Sequence, residues 1–163
     1  PAQLEQAILD ACSFGGEALV ERFVEGRELT VGILGGEVLG CLEVSHPGTT
    51  FDYQTKYLAG TARYHLPPRL SPTRVANIEA RALRAYQALG CRGYARVDFI
   101  ASESGQSNDV LLEVNTLPGM TATSLLPKIA AAAGLDFPAL CERILELATL
   151  DAGVEHTPDS IAA

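Results

Sequence analysis

The sequence predicts an α+β fold: an antiparallel β-sheet flanked by α-helices, packed on one side of it. Three observations carry that expectation. Strand-like runs at residues 18–24, 28–34 and 38–44 are separated only by Glu25-Gly26-Arg27 and Gly35-Gly36. Such turns are too short for the crossover that parallel strands require. A second pair of runs, 93–101 and 109–115, is joined by the polar turn 102–108. Helical periodicity brackets these blocks instead of alternating with every strand, which separates the pattern from repeated βαβ units.

The elements follow in order. Leu4, Ile8 and Ala11 recur at helical spacing, and Gly15-Gly16 ends that first helix. The three-strand meander comes next. Residues 45–69 carry His46-Pro47-Gly48, Asp52, Gly60 and Pro67-Pro68 with little periodicity, and read as a long functional loop around Lys56-Tyr57. Ser71-Pro72 opens a helix with a cap and a first-turn proline. Its apolar face is Val75, Ile78, Ala82, Tyr86 and Leu89, and Gly90 closes it. After the second strand pair, residues 116–123 form a loop around Pro118-Gly119 and residues 124–133 a helix ending at Gly134. Asp136 caps a last helix with Phe137, Leu140, Ile144 and Leu147 inward; residues 151–163 are patternless and read as a flexible tail.

The chain has 163 residues, the length of one domain. Twelve basic and 20 acidic residues give a net charge of −8, which argues against a general basic surface for nucleic acid. Apolar residues make up 47% and charged residues 20%, so the chain can bury a core. No run approaches the roughly 18 apolar residues of a membrane span, and the N-terminus carries no basic-then-apolar signal. Cys12, Cys41, Cys91 and Cys141 lie far apart, without CxxC spacing or a nearby His. Reduced thiols and a cytoplasmic location are expected, and zinc is not. The first residue is Pro1 rather than Met and leads straight into a helix, as in a piece of a longer polypeptide.

The chemistry concentrates in Arg96-Val97-Asp98-Phe99 and Leu112-Glu113-Val114-Asn115. Alternation puts Arg96 and Asp98 on one face of their strand, and Glu113 and Asn115 on one face of theirs, opposite Leu112 and Val114. A turn centred near Gly105-Gln106 pairs Asp98 with Glu113 and Arg96 with Asn115. Opposed carboxylates repel. A hard divalent cation converts that repulsion into coordination, and Asp, Glu and Asn oxygens suit magnesium. The blander account is a solvated polar face. In the loop that follows, Gly119 lets backbone approach a ligand, and its N–H with Arg96 could meet a developing oxyanion. Ser124 combines a hydroxyl with a helix start that attracts carboxylates. Glu21, Phe23 and Glu28, at the first two strands, could meet an adenine and a ribose, and Lys56 a phosphate. His46, His65 and His156 show no partner pattern and read as structural or exposed.

These blocks resemble the D-alanine–D-alanine ligases of the ATP-grasp superfamily. Val20-Glu21-Arg22-Phe23-Val24 with Gly26-Arg27-Glu28-Leu29-Thr30-Val31 is similar to their nucleotide-binding hairpin. Phe51-Asp52-Tyr53-Gln54-Thr55-Lys56-Tyr57 resembles their omega loop. The runs from Gly90 through Phe99 and from Leu112 through Thr121 resemble their catalytic hairpin and loop.

The resemblance implies that residues 1–150 are the C-terminal ATP-grasp domain, without the N-terminal and most of the central domain. It implies ATP-dependent joining of two D-alanines through an acyl phosphate, for peptidoglycan precursors. By matching position, Glu21 would bind the adenine amino group, Val24 its ring through the backbone, Phe23 would pack near the base, and Glu28 would hold the ribose. Lys56 would contact phosphate. Asp98, Glu113 and Asn115 would bind two Mg2+ (or Mn2+) ions. Arg96 and the Gly119 amide would stabilise the tetrahedral intermediate, and Ser124 with the Leu125 amide would grip the second substrate's carboxylate. Tyr57 stands where D-lactate-using relatives carry histidine, which implies an amine nucleophile. The implied partners are ATP and D-alanine, with no nucleic acid and no membrane, and a homodimer in the full-length protein.

Phe23 departs from the tryptophan frequent in the family. The 163 residues alone lack part of the nucleotide clamp and are expected to be inactive. The alternatives are another ATP-grasp carboxylate–amine ligase, a D-alanine–D-lactate enzyme, or a non-catalytic nucleotide-binding fragment.

Overall fold

The computed structural model describes residues 2–45 and 62–149. The sequence expectations at Lys56, Tyr57, His46 and His156, and the tail 151–163, lie outside the described residues.

Five strands form one antiparallel sheet in the order β3-β2-β1-β4-β5. In chain order, α1 (Ala2–Gly15) precedes β1 (Gly26–Leu34), β2 (Glu37–Ser45) and the short β3 (Arg63–His65). Helix α2 (Pro72–Ala88) leads into β4 (Tyr94–Ser102), a single 3-10 turn (Gln106–Asn108) and β5 (Val110–Asn115). Helices α3 (Leu125–Ala132) and α4 (Phe137–Glu146) complete the fold. The tight β1–β2 turn needs two positive-φ residues, which Gly35 (φ 62°) and Gly36 (φ 83°) supply.

Strand β1 is the axis of the domain. Its odd positions Leu29, Val31 and Ile33 join Val97, Phe99 and Cys41 in the main core, against Ile78, Ala82 and Tyr86 of α2. Its even positions face the other way. A Cβ on Gly32 would stand 3.0 Å from Leu126 and 3.1 Å from Ile129 of α3, so the glycine permits that close approach. Ile129 also packs on Leu42 and Val44. The helices therefore cover both faces, α2 one and α3 the other, and the one-sided packing expected from the sequence is corrected. Because α3 covers only part of its face, polar residues of β1, β4 and β5 can stand on the remainder.

Residues 18–24 do not form the expected strand. The β1 edge that a preceding hairpin would use is already held by β4, and the opposite edge by β2. Left unpaired, the run exposes Leu19, Val20 and Phe23. Gly26, read from the sequence as part of a turn, begins β1 instead. A Cβ there would lie 2.4 Å from the Ala101 carbonyl oxygen, so glycine alone fits. Three predicted apolar faces also shift at their ends. Leu89 and Phe137 are exposed, and α1 half-buries Ile8 and Cys12 while Leu4 and Ala11 face outward. The caps are as expected: Ser71 accepts from the Arg74 N–H and Asp136 from the Ala139 N–H.

All four cysteines are free thiols. Burial, with Glu79 and Glu43 nearby, pushes the Cys41 thiol up to about 12, which makes it core packing rather than a nucleophile.

Glu43 is wholly buried at the β2–β3 edge. Burial alone would raise its pKa. Hydrogen bonds from the Arg69 side chain and N–H, with Arg27 close by, outweigh that and hold the carboxyl below its ordinary range. A depressed carboxylate stabilises the fold in full above its unfolded pKa and loses that contribution as pH falls through the folded one. The Tm difference between the parent and Glu43→Gln should be largest at neutral pH and shrink through the acid range. A pH-independent difference would remove this role.

Candidate functional site

Register places the chemistry. β4 and β5 pair Arg96 with Asn115, Val97 with Val114 and Asp98 with Glu113, as the turn-centred count predicts. Between Asp98 and Phe99 the register slips, so that Phe99 meets Leu111. This bulge turns Leu111 onto the core and leaves Leu112 exposed, which corrects the expectation that Leu112 shares the inner face with Val114. The same local twist presents Glu113, whose side chain is 58% exposed, on the open face of the sheet.

Across β1 the same rows continue: Thr30 pairs with Asp98 and Gly32 with Arg96. The Thr30 hydroxyl, fully buried, donates to Asp98 Oδ1 at 2.8 Å. Sequence reasoning missed Thr30, because a threonine in a strand reads as ordinary β-propensity. Its signal was a polar side chain between Leu29 and Val31, on the face shared with Asp98. Arg96 donates through Nε to Asp98 Oδ1 (3.0 Å) and Oδ2 (3.2 Å), and through Nη2 to Oδ2 (2.8 Å). The same Nη2 lies 3.5 Å from Glu113 Oε1. Burial alone would lower the Arg96 pKa; the Asp98 bonds, with Glu113 and Glu28, raise it. Glu28 is thereby brought into the electrostatic field of this cluster from two positions along β1.

Among the described residues no three His, Cys, Asp or Glu side chains converge as a metal cluster. The candidate set is instead two carboxylates completed by an amide. Asn115 Oδ1 is an oxygen donor on the same face, accepting from the Leu117 N–H at 3.0 Å. The set fits a hard divalent cation on one observation of this structure: a positive group, the Arg96 guanidinium, already lies between Asp98 and Glu113.

The loop after β5 is closed on itself. Ser124 Oγ accepts from the Thr121 N–H (3.0 Å) and meets the Thr121 hydroxyl (2.9 Å). A Cβ on Gly119 would come within 2.9 Å of that Oγ, which ties the glycine to this close packing. Ser124 is the N-cap of α3 by backbone but makes no side-chain cap bond. The first-turn N–H groups beyond it, Leu125 first, are left for another acceptor. Lys128 Nζ, one turn on, donates to the Ala122 carbonyl at 3.2 Å and lies 5.1 Å from the Tyr64 ring centre, linking the loop to β3.

The nucleotide residues expected from the sequence lie at the far end of β1. Glu21 and Phe23 are exposed and Val24 half-buried. A cavity of 310 Å³ separates this segment from the β4–β5 turn, lined among others by Phe23, Val24, Ser102, Ser104 and Asn108. His65 is half-buried, with Nε2 3.1 Å from Ser45 Oγ, a structural contact.

An Anaeromyxobacter (strain Fw109-5) D-alanine–D-alanine ligase is 48% identical over 151 residues, 93% of this chain and 48% of that protein. The chain thus spans about half the length of the curated relatives it matches. A crystal structure of a Bacillus anthracis D-alanine–D-alanine ligase complexed with ATP superposes with a TM-score of 0.75 at 32% identity, over 90% of this chain and 47% of that one. A D-Ala:D-Ser ligase from Enterococcus faecalis superposes with a TM-score of 0.76 at 31% identity, over 90% and 43%. The model of the D-ala D-ala ligase C-terminus family matches residues 1–146, and with the hairpin register and the ATP-grasp architecture in place, the chain belongs to that family.

Proposed function

We propose that this chain is the nucleotide- and metal-handling part of an ATP-dependent D-alanine–D-alanine ligase, with residues 1–150 as its C-terminal ATP-grasp domain and 151–163 as a tail. The observation that carries the proposal is the cross-strand set Arg96, Asp98, Glu113 and Asn115, backed by Thr30. ATP would lie along β1, its base in the cavity beside Phe23 and Val24, with Glu21 at the amino group and Glu28 at the ribose. Asp98, Glu113 and Asn115 would hold Mg2+ or Mn2+, which when bound neutralises phosphate charge in transfer. The γ-phosphoryl would pass from ATP to the first D-alanine's carboxylate, leaving ADP. The second D-alanine's amine would attack the acyl carbon, forming the amide as inorganic phosphate leaves and the amine gives up a proton. Arg96 and the Gly119 N–H would meet the oxyanion of that attack. Ser124 and the Leu125 N–H at the start of α3 would hold the second carboxylate. Lys56 on phosphate and Tyr57 at the acceptor complete the assignment. The proposal includes a cytoplasmic, homodimeric enzyme; no helix among the described residues is long and apolar enough to cross a membrane.

The test is ADP release from magnesium-ATP by the longest natural chain carrying these residues, with and without D-alanine. D-Alanine should stimulate release, and Glu113→Gln should lower the stimulated rate about a hundredfold. Stimulation by D-lactate or L-amino acids in place of D-alanine would move the enzyme to another acyl acceptor. ATP binding with no response to any of them would leave a nucleotide-binding module.

A further inference from the structure

Asp98 and Glu113 face each other across the β4–β5 ladder, an arrangement that repels unless a positive charge lies between them. The positive charge present is a side chain of the same sheet. Arg96 lies two residues from Asp98, on the same face, and its Nη2 bonds Asp98 and reaches Glu113. The geometry points to Arg96 as the resident counter-ion of the Asp98–Glu113 pair, which a divalent cation must displace in order to bind. This rests on the metal-site proposal above.

Asp98 has little acceptor capacity left. Oδ1 accepts from Thr30 and from Arg96 Nε, and Oδ2 accepts from Arg96 Nε and Nη2. The Thr30 bond comes from β1 and is compatible with a ligand on the β5 side. The arginine bonds are not, because they occupy both carboxylate oxygens and the same Nη2 reaches Glu113. The Arg96 and Asp98 side chains are only 17% and 10% exposed, so solvent would screen two adjacent positive groups poorly. Cation and guanidinium therefore exclude each other. The exchange also has a product: an arginine released from Asp98 becomes available for the oxyanion. Arg96 would thus be held away from the reacting carboxyl until the cation site fills.

The experiment uses Mn2+ alone, without nucleotide, titrated into the longest natural chain carrying these residues while the paramagnetic resonance signal of free aqueous Mn2+ is read. Arg96→Met, which removes the competing charge, should bind Mn2+ about tenfold more tightly than the parent. Its Tm should fall in EDTA and recover with Mn2+ by more than the parent gains. If Arg96→Met does not fold, Arg96→Lys carries the test: a shorter ammonium that cannot span both carboxylates should still raise affinity several-fold. Equal or weaker Mn2+ binding by the folded Arg96 variants would overturn the exchange and leave the metal site standing. Undiminished Mn2+ binding by Glu113→Gln would overturn the metal site itself, and the exchange with it.

Discussion

Asp98→Asn is expected to lower D-alanine-stimulated ADP release by about a hundredfold or more while the chain still folds. The substitution is nearly isosteric. Its amide oxygen can keep the 2.8 Å bond from the Thr30 hydroxyl, which anchors β4 to β1 at this point. What it loses is the negative charge and one acceptor. The amide nitrogen would stand where Oδ2 now receives two Arg96 bonds, donor against donor. The candidate cation site loses a ligand, and Arg96 loses the partner that orients it, so two functions fail together. Thr30→Val separates these effects. It removes only the hydroxyl behind Asp98 and leaves the charge, so the expected loss is nearer tenfold. Steady-state rates with a melting curve for each variant decide the matter. Near-parental turnover in a folded Asp98→Asn protein would remove Asp98 from the site.

Arg74→Met is expected to cost about 3–5 kcal/mol of stability. Asp109, its side chain 2% exposed, accepts from Arg74 through both carboxylate oxygens and from the Ser102 N–H. Arg74 also donates to the Ser102 carbonyl, and Arg81 to the Asp109 carbonyl. Without the guanidinium, a buried carboxylate keeps its desolvation penalty and loses its counter-charge. Urea unfolding of parent and variant measures the difference, with an unchanged slope showing that the unfolded state is not responsible. Substituting both partners, Arg74→Met with Asp109→Leu, should recover much of the loss. A cost under about 1 kcal/mol for Arg74→Met would place the pair among ordinary surface ion pairs.

The local chemistry of turns and caps was the most legible part of the sequence. Counting outward from the Gly105-Gln106 turn paired Asp98 with Glu113 correctly, because the register is set by where the polar turn falls. The slip beyond Asp98 was not legible, since a bulge adds one residue without leaving a compositional mark, and Leu112 was consequently placed inward. Residues 18–24 misled for a different reason. Their apolar, β-prone character is real, but strand formation depends on a free neighbouring edge, and β1 had none to offer. The three residues of β3 were hidden within a stretch that reads as loop. Thr30 and Lys128 went unnoticed because each acts through a neighbour: Thr30 through Asp98, and Lys128 through the Ala122 carbonyl. Such roles need distances, which spacing alone does not carry.

Strand β1 sits third of five, paired along both edges, with helix α2 on one face and α3 on the other. Fraying must therefore peel away β3 with β2, or β5 with β4, before any β1 amide meets solvent. Thr30 and Glu28 ride on the last part of the domain to come apart, whereas the Thr121–Ser124 closure belongs to a surface loop that can open alone. The two ends of the site then run on different clocks. Thr30 and Glu28, on the central strand, keep their place for the lifetime of the folded state, while Glu113 and Asn115 on the outer strand β5 and the Thr121–Ser124 loop can loosen before it ends.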